Sequence, residues 1–358
     1  MNDMRVLKTL GHNVSLFCLN TRKHWVDTEG YIKLSLWDNF YAEELDTNSF
    51  ITFMRAALSA HPFQIVRFYN SRIECHINNV VKNKNIDLIV YQGLAMTQYQ
   101  RSAMCKKIYR VHNLEFKVWE LLAAQTKNYL KKLVNQWLSN SLKPYEECEL
   151  KDLSAAITLS FEEEKILNNF YPKMKIATIP ISINSRSSFK YSAEKKGILF
   201  IGSLDWQPNR EGLDWFLANI YPALRNIPLT IAGKGNFKCD IKNVTVIPNY
   251  ESTEELLASH RMMIVPLLSG AGIRIKILEA MNFGIPLIST STGAEGIDSY
   301  QGSMIIEDAV GQWISQIQKT YEQPSLLLDM SQKAKTSFEN NYSEEVIMGK
   351  WQKFLSNL

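Results

Sequence analysis

The second half of the chain alternates short apolar segments with helical ones, and this alternation limits the fold more than any other feature of the sequence. Short apolar runs separated by amphipathic stretches of helical length are typical of βαβ units, in which the strands are parallel. The sequence therefore predicts a doubly wound α/β sheet in this half. Its strands are predicted at 197–204, 229–235, 244–248, 262–267, 286–290 and 303–307, and residues 310–358 are predicted to be helical.

The first half repeats this pattern less regularly. Candidate strands lie at 13–20, 63–69, 86–94, 106–113 and 155–160, and a long, mostly helical stretch separates the last two. Residues 1–10 are predicted to form a helix that ends at Gly11. Because a doubly wound domain normally begins with a strand, we expect the first strand and its following loop to be missing from this chain.

The length of 358 residues indicates two domains, because a single hydrophobic core rarely grows beyond roughly 250–300 residues. The polar, aperiodic segment 180–197 is the predicted linker. We expect an N-terminal Rossmann-like domain at 1–182, a C-terminal one at 183–340, and a helix at 341–358 that packs back on the first domain. Two such domains would face a cleft, with ligands outside the carboxyl ends of the strands.

Composition excludes several other classes of protein. Hydrophobic residues make up 46% of the chain and charged residues 21%, which indicates a globular fold and not a disordered one. A net charge of +4 does not indicate a nucleic-acid partner. The five cysteines are scattered and form no C-x-x-C pair, so neither a disulfide framework nor a zinc site is predicted, and a reducing cytoplasm is the expected setting. No stretch reaches the ~18 apolar residues of a membrane span.

The segment "SGAGIRIK", residues 269–276, joins a predicted strand to a helix through small residues and two cations. Gly270 and Gly272 let a ligand approach the backbone, and the free N–H groups at the start of a helix attract an anion. Arg274 and Lys276 stand in the first turn, where the helix dipole makes a cation unfavourable by roughly a few tenths of a kcal/mol. A bound diphosphate would compensate both charges, and arginine can engage it through two hydrogen bonds.

Glu279 follows Lys276 by three residues, so the two side chains share a face of the predicted helix. One interpretation is that Glu279, about two turns from the loop, accepts hydrogen bonds from ribose hydroxyls. The other is that Arg274 is a solvated surface residue and that Lys276 and Glu279 form an ordinary helix pair.

The run "SGAGIRIKILEAMNFGIPLISTSTGAEGI", residues 269–297, resembles the donor-binding region of bacterial family 4 glycosyltransferases, which are retaining enzymes of the GT-B fold. Three further segments resemble the start of the family's C-terminal domain, its His-Asn-x-Glu segment, and the last strand and helix of its N-terminal domain. They are residues 197–216, 109–120 and 156–167.

This resemblance implies two Rossmann-like domains facing a cleft, and the transfer of a sugar from a nucleotide-sugar donor to a lipid-linked or oligosaccharide acceptor. It implies that Arg274 and Lys276 hold the donor diphosphate and that Glu279 holds the ribose. No metal or cofactor is expected, because the sequence shows no cluster of carboxylates and the cations with the helix dipole would stabilise the leaving diphosphate.

The resemblance assigns five further residues. It implies that the loop with Gly293 and Glu295 lies near the nucleotide or the sugar, and Arg210 stands near a lysine position of the family. His112 would form hydrogen bonds to the sugar or acceptor, and Glu115 would contact the acceptor. The residues alone leave two alternatives open: His112 as a packed structural histidine, and Glu115 as a carboxylate that the helix dipole stabilises.

Three departures from the family keep other functions open, and the expected absence of the first strand and its glycine-rich loop is one of them. Ala271 stands where many members have a glutamate that contacts the donor sugar, and Ser203 follows Gly202 where a basic residue is frequent. The chain could therefore be a catalytically impaired GT-B protein that binds nucleotide or a partner enzyme. A nucleotide-sugar epimerase is the third alternative, although it would need acid and base residues that the sequence does not identify.

A stripe of lysines in the long helical stretch suggests one further partner. Lys127, Lys131 and Lys132 lie near Trp137, a combination that fits an anionic membrane at the inner face of the cell as well as an ordinary solvated helix.

Overall fold

The computed structural model describes residues 2–21, 25, 36–47, 54, 59, 61–99, 105–126, 128–183, 189–270, 272–297 and 302–358. The chain divides into two compact units, one formed by Met1–Pro180 with Met348–Leu358 and the other by Ile181–Ile347.

The C-terminal unit is built on a six-stranded sheet in which every pair of neighbouring strands is parallel. Its order is β9-β8-β7-β10-β11-β12, which is the strand order of a Rossmann fold. The strands are β7 (Ile198–Ile201), β8 (Leu229–Gly233), β9 (Val244–Pro248), β10 (Met262–Val265), β11 (Leu287–Ser289) and β12 (Met304–Ile306).

Helices cover both faces of this sheet, and β7 shows why. Ile198 and Phe200 belong to one apolar core, whereas Leu199 and Ile201 belong to the other. Successive side chains of a strand point to opposite faces, so an uninterrupted apolar strand needs a cover on each side. The helices are α7 (Gln207–Asn219), α8 (Thr253–Ser259), α9 (Ile275–Phe283), α10 (Val310–Glu322) and α11 (Pro324–Asn341). The final helix, α12 (Glu344–Ser356), extends into the other unit.

The N-terminal unit contains a four-stranded parallel sheet in the order β3-β4-β5-β6 and a separate parallel pair, β1-β2. The strands are β1 (Ser15–Thr21), β2 (Asn39–Leu45), β3 (Leu88–Gln92), β4 (Lys106–Arg110), β5 (Ala155–Thr158) and β6 (Ile176–Thr178). The helices are α1 (Asn2–Thr9), α2 (Phe63–Val66), α3 (Ser71–Asn83), α4 (Glu115–Gln125), α5 (Tyr129–Lys151) and α6 (Phe161–Phe170).

A buried ion pair fixes the first helix on this sheet. Asp3 of α1 lies 2.6 Å from Nε of Arg110, the last residue of β4, whose side chain is only 1% exposed. The Trp351 ring of α12 lies 5.6 Å from the same guanidinium. A buried arginine needs such partners, and the result is that α1 and the end of α12 are both held at the carboxyl end of β4.

The structure confirms the predicted α/β class with parallel sheets, and one predicted strand is wrong. Residues 63–69 contain the short helix α2, which begins after Pro62. A short apolar run does not distinguish a strand from a helix by periodicity alone. Here only Ile65 of the helix is buried, and Asn70 caps α3 immediately afterwards by accepting a hydrogen bond from the Arg72 amide.

Candidate functional site

The strand order places β7 and β10 side by side at the centre of the C-terminal sheet. The connection from β7 leads to β8 on one side, and the connection from β10 leads to β11 on the other. The carboxyl ends of these two strands therefore flank the crevice at which ligands bind to sheets of this type. Residues 202–206 follow β7 and residues 266–274 follow β10, so two segments that are distant in sequence meet at this edge.

The loop after β10 is shaped by its glycines. Gly270 has φ +107° and Gly272 has φ +86°, a backbone region that residues with a Cβ rarely adopt. A Cβ on Gly270 would lie 3.0 Å from Nη2 of Arg274 and 3.3 Å from the Trp206 ring. The loop is also tied to α7, because the Ser269 hydroxyl donates a hydrogen bond of 3.2 Å to a Glu211 carboxylate oxygen. Ala271 lies outside the described residues.

Arg274 is a buried cation at the start of a helix. It occupies the N-cap of α9, where no side chain of the described residues makes a capping hydrogen bond, and it is 7% exposed. Its guanidinium lies 5.6 Å from the centre of the Trp206 ring, a cation–π contact. Burial lowers the pKa of Arg274, and the nearby Glu295 carboxylate acts in the opposite direction. The alternative of a solvated surface arginine is therefore wrong.

Lys276 is the second cation, and its ammonium group is withdrawn from water. Its Nζ donates to the Ile201 carbonyl at the end of β7 (3.0 Å) and to Oδ1 of Asn209 (3.3 Å). The Phe200 ring lies 4.7 Å from the same atom. Burial, and then repulsion from Arg274, lower the pKa of Lys276 to about 7. The arrangement holds a lysine whose charge would be stabilised by any anion that enters the crevice.

Lys276 does not form the alternative predicted from sequence, an ordinary helix pair with Glu279. Its hydrogen bonds go to β7 and α7, as given above, and none of the ion pairs in the described part of the chain joins it to Glu279. Glu279 is half-buried on α9, where burial and then repulsion from Glu254 raise its pKa.

The loop after β11 reaches the same edge of the sheet. The Gly293 amide donates a hydrogen bond of 3.0 Å to the Thr290 hydroxyl. A Cβ on Gly293 would lie 2.3 Å from the Ser289 hydroxyl and 2.7 Å from the Val265 carbonyl at the end of β10. Only glycine fits this close approach, and it brings the loop that carries Glu295 within electrostatic range of Arg274.

Arg210 has different partners from those of the two helix cations. It is exposed on α7, donates a hydrogen bond of 3.1 Å to the Asn236 carbonyl and lies 5.6 Å from the centre of the Phe237 ring. Its predicted contact with the donor remains a prediction, and its contacts in the structure hold the loop after β8.

Three residues that sequence reasoning missed complete this site. Asn209 is buried on α7 and bridges the site, since its Nδ2 donates to the Ser203 carbonyl (2.8 Å) while its Oδ1 accepts from Lys276. The sequence does carry a signal for Asn209. It is a polar residue on the same helix face as the apolar Leu213 and Phe216, and that face is buried. Trp206 and Gly212 were missed as well. A Cβ on Gly212 would lie 2.1 Å from the Pro266 carbonyl, so glycine is needed for α7 to approach β10.

His112 and Glu115 lie in the N-terminal unit, at the carboxyl end of β4. The His112 ring is exposed on one side, and its Nε2 lies 3.0 Å from Oε1 of Gln92, the last residue of β3. Packing on its other side, and then repulsion from Arg110, lower the pKa of His112. Glu115 is the first residue of α4, where burial raises its pKa.

A fully buried glutamate of α5 forms a hydrogen bond to the first turn of α4. Glu146 accepts a hydrogen bond of 3.4 Å from the Phe116 amide and has no exposed surface. Burial, with a smaller contribution from Glu115, raises the pKa of Glu146 to about 8. At neutral pH Glu146 is therefore mostly protonated, which avoids two like charges at the start of α4.

Across the described ranges, no group of three or more His, Cys, Asp or Glu side chains could hold a metal ion. None of the helices in those ranges is both long and apolar enough to cross a membrane.

Comparison with known proteins relates the C-terminal unit to a family of transferases. Residues 195–323 match the family model described as "Glycosyl transferases group 1". An uncharacterised 44.6 kDa protein of the cps region of Klebsiella pneumoniae is 23% identical over 332 residues, covering 85% of this chain and 80% of that protein.

Solved structures share the fold over the length of the chain. Sucrose-phosphate synthase from Thermosynechococcus elongatus has a TM-score of 0.67 at 14% identity, covering 99% of this chain and 90% of that one. HepE from Anabaena in complex with UDP has a TM-score of 0.67 at 11% identity, covering 100% and 95%; a further structure of HepE contains UDP-glucose. The chain thus carries a glycosyltransferase group 1 domain on a fold with GT-B neighbours, and it is a transferase.

Proposed function

We propose that this protein transfers a sugar from a nucleoside diphosphate sugar to an acceptor hydroxyl, with retention of anomeric configuration, in the assembly of a surface polysaccharide or glycolipid. The observation that carries the proposal is the pair of cations at the start of α9, a buried arginine and a half-buried lysine with a pKa of about 7. The two like charges repel each other, and a bound anion would stabilise both. Their place at the carboxyl ends of β7 and β10 is where such an anion would bind.

Each residue of the C-terminal unit has a proposed role. Arg274 and Lys276 bind the donor diphosphate together with the first-turn amides of α9, and Glu279 accepts hydrogen bonds from the ribose. The loop with Gly293 and Glu295 lies against the nucleotide or the sugar. Because these groups are fixed before the donor binds, they stabilise the charge that develops on the leaving diphosphate without reorganisation.

The chemistry needs no protein nucleophile. The bond between the anomeric carbon and the diphosphate oxygen breaks as the acceptor oxygen attacks the same face, and the acceptor proton passes to an oxygen of the departing diphosphate. No metal or cofactor is required by this proposal, since Arg274, Lys276 and the dipole of α9 compensate the leaving charge. His112 and Glu115 are proposed to contact the transferred sugar and the acceptor from the N-terminal unit, and the acceptor is proposed to be an oligosaccharide or a lipid-linked glycan.

The comparisons support the donor class and the biological setting. HepE, which shares the fold, forms complexes with UDP and UDP-glucose, and the related Klebsiella protein is encoded in a cps region. UDP-sugars are therefore the first donors to test.

The test is a panel of UDP- and GDP-sugars incubated with the full chain, with dissociation constants from calorimetry and release of nucleoside diphosphate as the measure of turnover. The proposal predicts binding of one donor and slow release of its nucleotide by hydrolysis, which an acceptor accelerates. Proton NMR of the glycoside product gives the anomeric configuration. Binding without release would assign the chain to the non-catalytic alternative, and a change of sugar identity without transfer would assign it to the epimerases.

A further inference from the structure

The N-terminal unit exposes an apolar helical surface that the proposed site does not use. Helices α4 and α5 pack against each other, and Asn128 caps α5 by accepting a hydrogen bond of 3.1 Å from the Lys131 amide. The second half of α5 is anchored, with Ser139, Leu142, Glu146 and Leu150 buried. The first half projects into solvent, and so does the end of α4.

The exposed surface, which we call the 121–137 surface, is strongly apolar. Its large hydrophobic side chains are between 41% and 72% exposed, a fraction typical of charged residues and not of leucine or tryptophan. They are Leu121, Leu122, Tyr129, Leu130, Leu133, Val134 and Trp137. Contiguous apolar surface of this kind marks an interaction site on a folded protein.

The apolar side chains of α5 share one side of the helix. At about 100° per residue, the five positions between Tyr129 and Trp137 fall within an arc of about 140°, whereas Lys131, Asn135 and Gln136 lie outside it. Asn135 packs toward α4, since its Nδ2 donates a hydrogen bond of 3.2 Å to the Thr126 hydroxyl. An ordinary surface helix turns its apolar side to the core, whereas this segment turns its apolar side to solvent.

The positive charge of this segment favours an anionic partner. Residues 121–145 contain four lysines and no aspartate or glutamate. Lys131 and Lys132 are exposed at either margin of the apolar arc, while Lys127 lies outside the described residues. A second copy of this chain would bring the same acid-free, lysine-bearing face into contact, so like charges would oppose such a dimer. An anionic lipid surface offers the opposite charge and an apolar layer beneath it.

The types of side chain in the 121–137 surface also suit the boundary between lipid headgroups and acyl chains. Tryptophan and tyrosine place an apolar ring and one polar atom at a membrane surface, and lysines extend their stems so that the ammonium groups reach the headgroups. We propose that the 121–137 surface docks onto an anionic lipid bilayer, with Leu130, Leu133 and Trp137 inserted between headgroups and Lys131 and Lys132 bound to lipid phosphates. The proposal does not depend on sugar transfer.

The test is sedimentation of the full chain with large unilamellar vesicles of phosphatidylcholine, alone or with phosphatidylglycerol as the anionic component. We expect binding to the anionic vesicles, weak binding to neutral ones, and loss of binding at high salt, because each lysine near the surface contributes roughly a fivefold gain in affinity. The Lys131→Glu/Lys132→Glu variant should bind at least tenfold more weakly. The Leu130→Ser/Trp137→Ser variant should lose binding at any salt concentration.

Control variants separate docking from general attraction of a basic protein. Lys319→Glu and Leu328→Ser change the same residue types at exposed positions of the C-terminal unit, and we expect unchanged vesicle binding. All of these side chains are exposed, so the melting temperature and UDP affinity of every variant should match those of the original chain.

Three results would overturn the proposal. One is the absence of wild-type binding to anionic vesicles, and another is an equal loss of binding in Lys319→Glu. The third is a concentration-dependent dimer in light scattering that Leu130→Ser/Trp137→Ser abolishes, which would assign the 121–137 surface to a second copy of the chain.

Discussion

Lys276 makes a quantitative prediction about how nucleotide affinity depends on pH. In the free protein its pKa is about 7, because burial withdraws its ammonium group from water and Arg274 repels its charge. A bound diphosphate would return the pKa toward the ordinary lysine value of about 10. Binding then takes up a proton, so the affinity falls as pH rises above 7.

The magnitude follows from the charged fraction of free Lys276. With a pKa of about 7, about half of the molecules carry the charge at pH 7 and about one in a hundred at pH 9. The dissociation constant for UDP should therefore rise about fiftyfold between these pH values, which corresponds to about 2 kcal/mol. A phosphate group with its second pKa near 6 changes little over this range, so the effect belongs to the protein.

Isothermal titration calorimetry measures both quantities. Titrations with UDP in buffers of different ionisation enthalpy should show uptake of about half a proton at pH 7 and about one at pH 9. In the Lys276→Gln variant the affinity should be weak and the same at both pH values, with no proton uptake. The reasoning would be refuted if the wild-type dissociation constant changed by less than about threefold and no proton were taken up.

Three further predictions concern stability and the N-terminal unit. Glu146 has a folded-state pKa of about 8, above its unfolded value of about 4, so the folded chain binds more protons and loses stability as pH rises between these values. Glu146→Gln should remove this loss, which has an upper bound of about 5 kcal/mol because the two pKa values differ by about 4. In denaturant melts, the wild type should lose stability relative to the variant between pH 6 and pH 8.5. Gly212→Ala places a Cβ 2.1 Å from the Pro266 carbonyl. It should reduce the free energy of unfolding by roughly 2 kcal/mol or more and so lower the melting temperature by several degrees. The control Gly311→Ala, whose Cβ meets nothing within 4 Å, should not lower it. His112→Ala should leave the UDP dissociation constant within about twofold and reduce the rate of sugar transfer at least about tenfold; a reduction in UDP affinity equal to the loss of rate would contradict a role at the acceptor side.

The C-terminal fold was predictable because its strands are uninterrupted apolar runs. The predicted segment at 197–204 became β7, and 262–267 became β10, with ends trimmed by a few residues where the chain turns toward the site. A continuous apolar run between turn residues satisfies both faces of a covered sheet, so local pattern and tertiary packing agree.

The N-terminal unit was less predictable for a physical reason. The run at 63–69 is short and mostly apolar, as many strands are, yet tertiary packing buries only Ile65 of the helix that forms there. The strand β2 was missed because "NFYAEEL" carries two acidic residues. β-propensity depends on which neighbours a strand finds, and these are not visible in the sequence.

The charged part of the site was predictable, and its buried support was not. Arg274 and Lys276 stand out in sequence because cations are unfavourable at the start of a helix. Asn209 and Trp206 contact them across the sheet edge, and nothing in the sequence pairs residues 67 positions apart. The withdrawal of Lys276 from water, which lowers its pKa, likewise results from packing that only the structure shows.

The central claim is that Arg274 and Lys276 bind the donor diphosphate, and the most direct test is the UDP and GDP affinity of Arg274→Gln/Lys276→Gln. The matched control is Arg225→Gln/Lys242→Gln, which removes one arginine and one lysine from exposed positions before β8 and β9, at the opposite edge of the same sheet. We predict that the first variant loses at least about a hundredfold in affinity while keeping its melting temperature, and that the control binds as the wild type does. Equal affinity in both variants would contradict the account.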